Sequence, residues 1–193
     1  MKTSATIAIV AMLGSSAWAA TKSDSQKVVV CIEDSGHGAV SEAMTGASRL
    51  FKPAGVNLEW HSGLSFCQGK ANQAIVVSLL TSTPRTLHPG AFAYAFPYEG
   101  VHIQVLYDRI ALSYADLLPY LLAYVVVHEI AHILQGRDQH SDSGVMKAFW
   151  DSYDYTLMKT GQLRFTALDI EMIHTGLAAR AARLGTLVGA VAP

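Results

Sequence analysis

Residues 27–34 (KVVVCIED) are a β-branched run, the pattern of a buried strand. From 39 to 55 the apolar positions change period. Ala43, Ala47, Leu50 and Phe51 recur at helical spacing, and the segment stops at Pro53-Ala54-Gly55. Val56, Leu58 and Trp60 then alternate with polar residues over 56–63, which predicts a second strand. A third, apolar on both faces, is expected over 71–81. The segment 91–100 alternates small and aromatic residues and carries Pro97, so it suits an edge strand. Val101, Ile103, Val105 and Tyr107 share one face of a further strand expected over 101–110. A long apolar helix follows. Pro119 fits only its first turn, which sets the start near Leu117, and Gly136 suits the left-handed residue just past its end. A glycine- and polar-rich loop spans 136–145. The last helix covers 166–185, with Asp169 early and Arg180 and Arg183 late, as the helix dipole prefers.

The chain of 193 residues is 51% hydrophobic and 15% charged, enough for one domain with a substantial core. A net charge of −1 gives no electrostatic case for nucleic acid or an anionic membrane. Internal repeats, low-complexity tracts and runs of like charge are absent from the sequence. The first twenty residues follow another logic. Lys2 precedes the apolar run Ile7–Leu13, and small residues lead to Ala17-Trp18-Ala19. This is the pattern of a cleaved export signal, expected over 1–19, with cleavage near Ala19 or Ala20. The run is too short for a membrane span, which needs about 20 residues. Residues 20–193 are expected to form one domain, in the periplasm or outside the cell and as a monomer. An exported protein meets oxidising conditions, so the two cysteines, Cys31 and Cys67, are expected to pair; the alternative is two buried thiols.

The candidate chemistry lies in 128–146, HEIAHILQGRDQHSDSGVM. Residues four apart stack on one helix face, so His128 and His132 can offer two imidazole nitrogens to one ion. Glu129 lies about 100° round the helix, able to reach a water on that ion without ligating it. Zinc suits imidazole and keeps a position open for water. Two histidines satisfied by hydrogen bonds are the plain alternative. The apolar run before His128, and Ile130, Ala131, Ile133 and Leu134 after it, argue against it, because buried polar groups without partners cost about 1–3 kcal/mol each.

This stretch resembles the metzincin metalloproteases, which carry His-Glu-x-x-His, a glycine at the helix end, a third histidine and a turn with a methionine beneath zinc. His140-Ser141 is most similar to the matrixin-like branch, and Met146 in Ser143-Gly144-Val145-Met146 looks like the methionine of that turn. Small exported bacterial proteins of metzincin type share the pattern with a following tryptophan, here Trp150. The resemblance implies an α+β fold: a twisted mixed sheet of about four to five strands packed on the active-site helix, then the Met-turn and a C-terminal helix. It implies one catalytic Zn2+, a peptide or protein substrate, and Glu129 as general base. The spacing departs from the family's. Gly136 stands four residues after His132 and His140 eight after, where the family has three and six. Asp138 occupies the strict position and rivals His140 as third ligand. Tyr153 and Tyr155 are candidates to stabilise the transition state, as some metzincins place a tyrosine after the turn. His61, His88, His102 and His174 lack ligand spacing. Glu171 would be the third ligand in a gluzincin-type peptidase. The expected activity is zinc-dependent endopeptidase. A zinc-binding module without proteolysis and a zinc hydrolase of other bonds are the alternatives.

Overall fold

The computed structural model describes residues 25–33, 38–68, 74–95 and 101–189. The expected signal segment 1–19, the cleavage region around Ala20 and the strand residues around Pro97 lie outside the described residues.

Five strands form one mixed sheet: β1 (Gln26–Ile32), β2 (Val56–Ser62), β3 (Ile75–Leu80), β4 (Ala93–Ala95) and β5 (His102–Leu106), in the order β2-β1-β3-β5-β4. The first four strands across are parallel; β4 runs antiparallel to β5 and closes the sheet at one edge. Parallel neighbours need a crossover, supplied between β1 and β2 by the helix α1 (Gly38–Phe51). A turn of 3₁₀ helix, Lys52–Ala54, then ends at Gly55 in the left-handed region. The period-2 pattern is realised: Val28, Val30 and Ile32, Val56 and Leu58, Ile75, Val77 and Leu79, and Ile103 and Val105 are buried.

Under the sheet runs α3 (Leu118–Gln135), with Pro119 in its first turn and Gly136 at φ 67° after its end. Every residue from Leu121 to Gln135 except Glu129 is buried. A helix apolar all round belongs in a protein core or a membrane; this one, apolar enough to match a span, is covered by the rest of the fold. On one flank α1 packs so closely that a Cβ at Gly46 would stand 3.1 Å from that of Ala123. On another, α5 (Ala167–Gly189) crosses at Gly176, where any Cβ would collide with the Leu134 carbonyl.

Two elements differ from the sequence expectation. The strand expected over 101–110 ends at Leu106, and Tyr107–Ser113 is a helix, α2. Tyr107 and Ile110 are buried three residues apart, which helical period achieves. The Asp108 carboxylate ties the start of α2 to the chain leaving β3, accepting from the Thr83 amide (2.8 Å) and hydroxyl (2.5 Å). A further helix, α4 (Ser152–Lys159), has no counterpart in the expected order. It is set by a reciprocal cap: Asp151 accepts from the amides of Tyr153 and Asp154, and Asp154 accepts from the Asp151 amide. The edge strand expected over 91–100 is paired at Ala93–Ala95 among the described residues.

Cys31 of β1 and Cys67, in the turn after β2, form the expected disulfide. With Ala74 they make a small buried cluster apart from the main core.

Candidate metal centre

The last two turns of α3 carry His128, Glu129 and His132. Both imidazoles are almost fully buried, at 8% and 6% exposure. Each has its Nδ1 against a backbone carbonyl, His128 against Val145 O at 2.9 Å and His132 against Arg137 O at 3.0 Å. A carbonyl only accepts, so both Nδ1 atoms carry the proton, and both Nε2 atoms present lone pairs. Those two Nε2 atoms face one another at 3.0 Å. Burial pushes the His128 pKa down to about 3, with repulsion from His132 and His140 adding to it against the Val145 hydrogen bond. Burial likewise takes His132 down to about 4, with His140 adding to the shift and the Arg137 hydrogen bond and Asp138 opposing it. Two neutral rings with opposed lone pairs repel each other. A shared cation relieves that contact.

His140 comes from the loop after α3. Its ring centroid lies 5.2 Å from that of His128 and 4.9 Å from that of His132. One nitrogen from each of the three imidazoles falls in a group within 4.8 Å of one another. Three imidazoles around zinc at about 2.0–2.1 Å would stand roughly 3.3 Å apart. The helical pair is close to that spacing, and His140 is exposed on a loop, where its side chain can close the difference. The donor set therefore fits a single zinc ion. Asp138, exposed on the same loop, is outside the group and acts through its charge on His132.

The loop that delivers His140 is fixed at both ends. Gly136 donates to the His132 carbonyl at 2.9 Å as α3 ends. Its far end is a tight turn. Ser141 donates to the Met146 carbonyl (2.8 Å), Val145 donates to the Arg164 carbonyl (3.0 Å), and Gly144 sits at φ 78°. A Cβ on Gly144 would run into that Arg164 carbonyl oxygen. Met146 in this turn is fully buried. Asp169, 1% exposed, accepts from the Ser141 hydroxyl (2.5 Å) and from the Thr166 amide (2.8 Å), anchoring the loop to the start of α5.

Glu129 is half-buried, and the backbone of Ala95 in β4 is near enough to favour its charged form. Burial raises its pKa to about 7, and the Ala95 backbone only partly offsets the rise. Glu129 and Ala93, the first residue of the edge strand, both line a cleft of about 560 Å³. Phe92, Tyr114, Phe149, Trp150 and Tyr155 make much of its wall. Tyr155 is 3.5 Å from Tyr114, hydroxyl to hydroxyl, and burial and that neighbour push its pKa up. Tyr153 is 69% exposed and is not part of the cleft.

Glu171 is exposed on α5 and outside the histidine group. Three other histidines are engaged elsewhere: His61 with Glu59 (2.7 Å), His88 with the Gly90 amide (3.2 Å) and His174 with the Ala54 carbonyl (2.7 Å). Sequence reasoning missed Tyr114, which sits between helices where a strand was expected to have just ended. It also missed the role of Asp169 in the ligand loop. The Thr166-x-x-Asp169 capping pattern carried a signal for its place at the helix start, but none for Ser141.

No family model matches the sequence, and no curated protein matches it. Among solved structures the fold is similar to the archaemetzincin of Methanopyrus kandleri, with a TM-score of 0.54 and 14% identity over 82% of this chain and 99% of that one. An archaemetzincin of Archaeoglobus fulgidus solved with malonate gives a TM-score of 0.48 at 12% identity, over 76% and 99% of the two chains. The expected fold class is met: the chain has a metzincin-like α+β fold.

Proposed function

We propose that this protein is a zinc-dependent endopeptidase, with His128, His132 and His140 holding the metal and Glu129 moving the proton. The observation that carries the proposal is the pair of opposed Nε2 lone pairs 3.0 Å apart in a buried pocket, with a third imidazole beside them. Zinc bound there would polarise a peptide carbonyl and acidify a water molecule. Glu129 accepts a proton at its carboxylate and returns it to the departing amine nitrogen. Its half-buried carboxylate stands next to His128 on α3 and lines the cleft, the position that both transfers require. The backbone of β4 offers an edge to an extended peptide, and Glu129 lines the same cleft as Ala93 of that strand. Tyr155 places a hydroxyl in the cleft, a donor for charge developing on the carbonyl oxygen.

His140-Ser141 and Gly144-Val145-Met146 support a matrixin-like version of the site, with Met146 as the methionine of the turn. Export with loss of residues 1–19, action in the periplasm or outside the cell, and a monomeric state complete the proposal; the signal pattern and the disulfide support the first two.

The test is Glu129→Gln. The variant should bind one zinc per chain and lose roughly 10²–10⁴-fold in hydrolysis of a mixed peptide library. Wild-type turnover in the variant removes Glu129 from the chemistry. A wild-type protein that holds zinc and cleaves nothing favours the non-proteolytic module.

A further inference from the structure

A second cavity, of about 520 Å³, lies farther round α3 and shares no residue with the cleft. Its floor is Leu50, Ala123 and Met158, and α1, the first half of α3 and the connection from α4 to α5 enclose it. Arg49, Lys159 and Arg164 stand around it, with Glu42 as the one carboxylate. Three cations less one carboxylate leave an excess of two positive charges.

Two lysines elsewhere among the described residues are neutralised by carboxylates. Lys27 pairs with Glu59, and Lys147 with Asp151 (2.8 Å) and Asp154 (2.7 Å). Among the described residues, Arg49, Lys159 and Arg164 have no such carboxylate. Nor is Arg164 on a loose segment. Its carbonyl accepts from Val145, and the neighbouring Leu163 carbonyl accepts from the buried Tyr124 hydroxyl at 3.1 Å. Tyr124 also lines the cavity. The guanidinium is therefore carried on backbone pinned from two sides, which lowers the ordering cost of binding. A concave site of this size, with an apolar floor and three exposed cationic side chains in its lining, can seat a small molecule.

We infer that this cavity binds a small organic dianion, its charged groups held by Arg49, Lys159 and Arg164 and its carbon body on Leu50, Ala123 and Met158. Guanidinium forks match either a phosphate monoester or a pair of carboxylates. The site is independent of the peptidase reading, because none of its residues belongs to the metal centre.

The experiment is calorimetric titration of the zinc-loaded full chain with glycerol 3-phosphate and, separately, with succinate, at low and at physiological salt. Amide NMR shifts locate the ligand. Saturable binding is expected with one probe or both, and the better probe identifies the class. The shifts should fall at Gly46, Ala123 and Thr160, and affinity should weaken as salt rises. Arg49→Gln with Arg164→Gln should weaken binding at least tenfold, and the control Lys27→Gln should leave it unchanged. Shifts confined to residues 128–146, equal binding in the double variant, or no saturable binding of either probe would each overturn the inference.

Discussion

Alanine at position 144 should damage stability and zinc binding together, and the structure sets the size of each effect. Gly144 lies at φ 78°, where a residue with a Cβ costs about 1–2 kcal/mol. The added carbon also meets the Arg164 carbonyl oxygen, a backbone atom that cannot swing aside. Relief of that overlap breaks the 3.0 Å bond from Val145 to Arg164, a further loss of about 0.5–1.5 kcal/mol. The sum is about 1.5–3.5 kcal/mol in urea unfolding of the metal-free protein. Gly161 gives an internal control. It has a similar φ of 64° but open space where its Cβ would go, so Gly161→Ala should show the backbone cost alone. Zinc separates the two variants again. The Val145 carbonyl orients His128, and losing such a partner typically costs 10–100-fold in metal affinity. Chelator titration should register that loss for Gly144→Ala and none for Gly161→Ala. Equal behaviour of the two variants in both assays would refute the claim that this turn buttresses the metal site.

His140→Ala should release zinc to a chelator far more readily than wild type, whereas Asp138→Ala should lose at most about 10–100-fold in affinity through its charge on His132. The reverse ranking would hand the third ligand to Asp138. The Cys31–Cys67 bridge spans 36 residues of sequence, and replacing both cysteines with alanine should cost about 3–4 kcal/mol in urea unfolding on the chain-entropy argument. A loss under 1 kcal/mol would mean that the small cluster around the bridge holds without it.

Much of the fold was written in hydrophobic period. Strands β1 and β2 fall within two residues of their runs, β3 (Ile75–Leu80) lies inside the expected 71–81, of which 71–73 are outside the described residues, and Pro119 and Gly136 mark both ends of α3 because proline lacks an amide hydrogen and glycine tolerates the left-handed region. The misread elements are those where another interaction chose the conformation. At Tyr107–Ser113 the apolar residues fit strand and helix alike, and the bond from Thr83 to Asp108 is invisible without knowing that β3 lies next to β5. α4 was announced by Asp151 and Asp154, but Tyr153 and Tyr155 drew attention there as catalytic candidates. His128 and His132 were legible because a helix fixes their relation. The place of His140 relative to Asp138 depends on how the chain leaves Gly136, which local sequence does not set. The basic cavity brings together α1, α3 and the α4–α5 connection, residues more than a hundred positions apart, and no motif encodes it.

X-ray absorption at the zinc edge of the purified, zinc-loaded protein tests the central claim most directly, because it counts the imidazoles on the metal. The account predicts three imidazole nitrogens at about 2.0–2.1 Å and at least one oxygen ligand completing the shell. A shell with two imidazoles and a carboxylate, or a protein that retains no zinc through gel filtration, would contradict it.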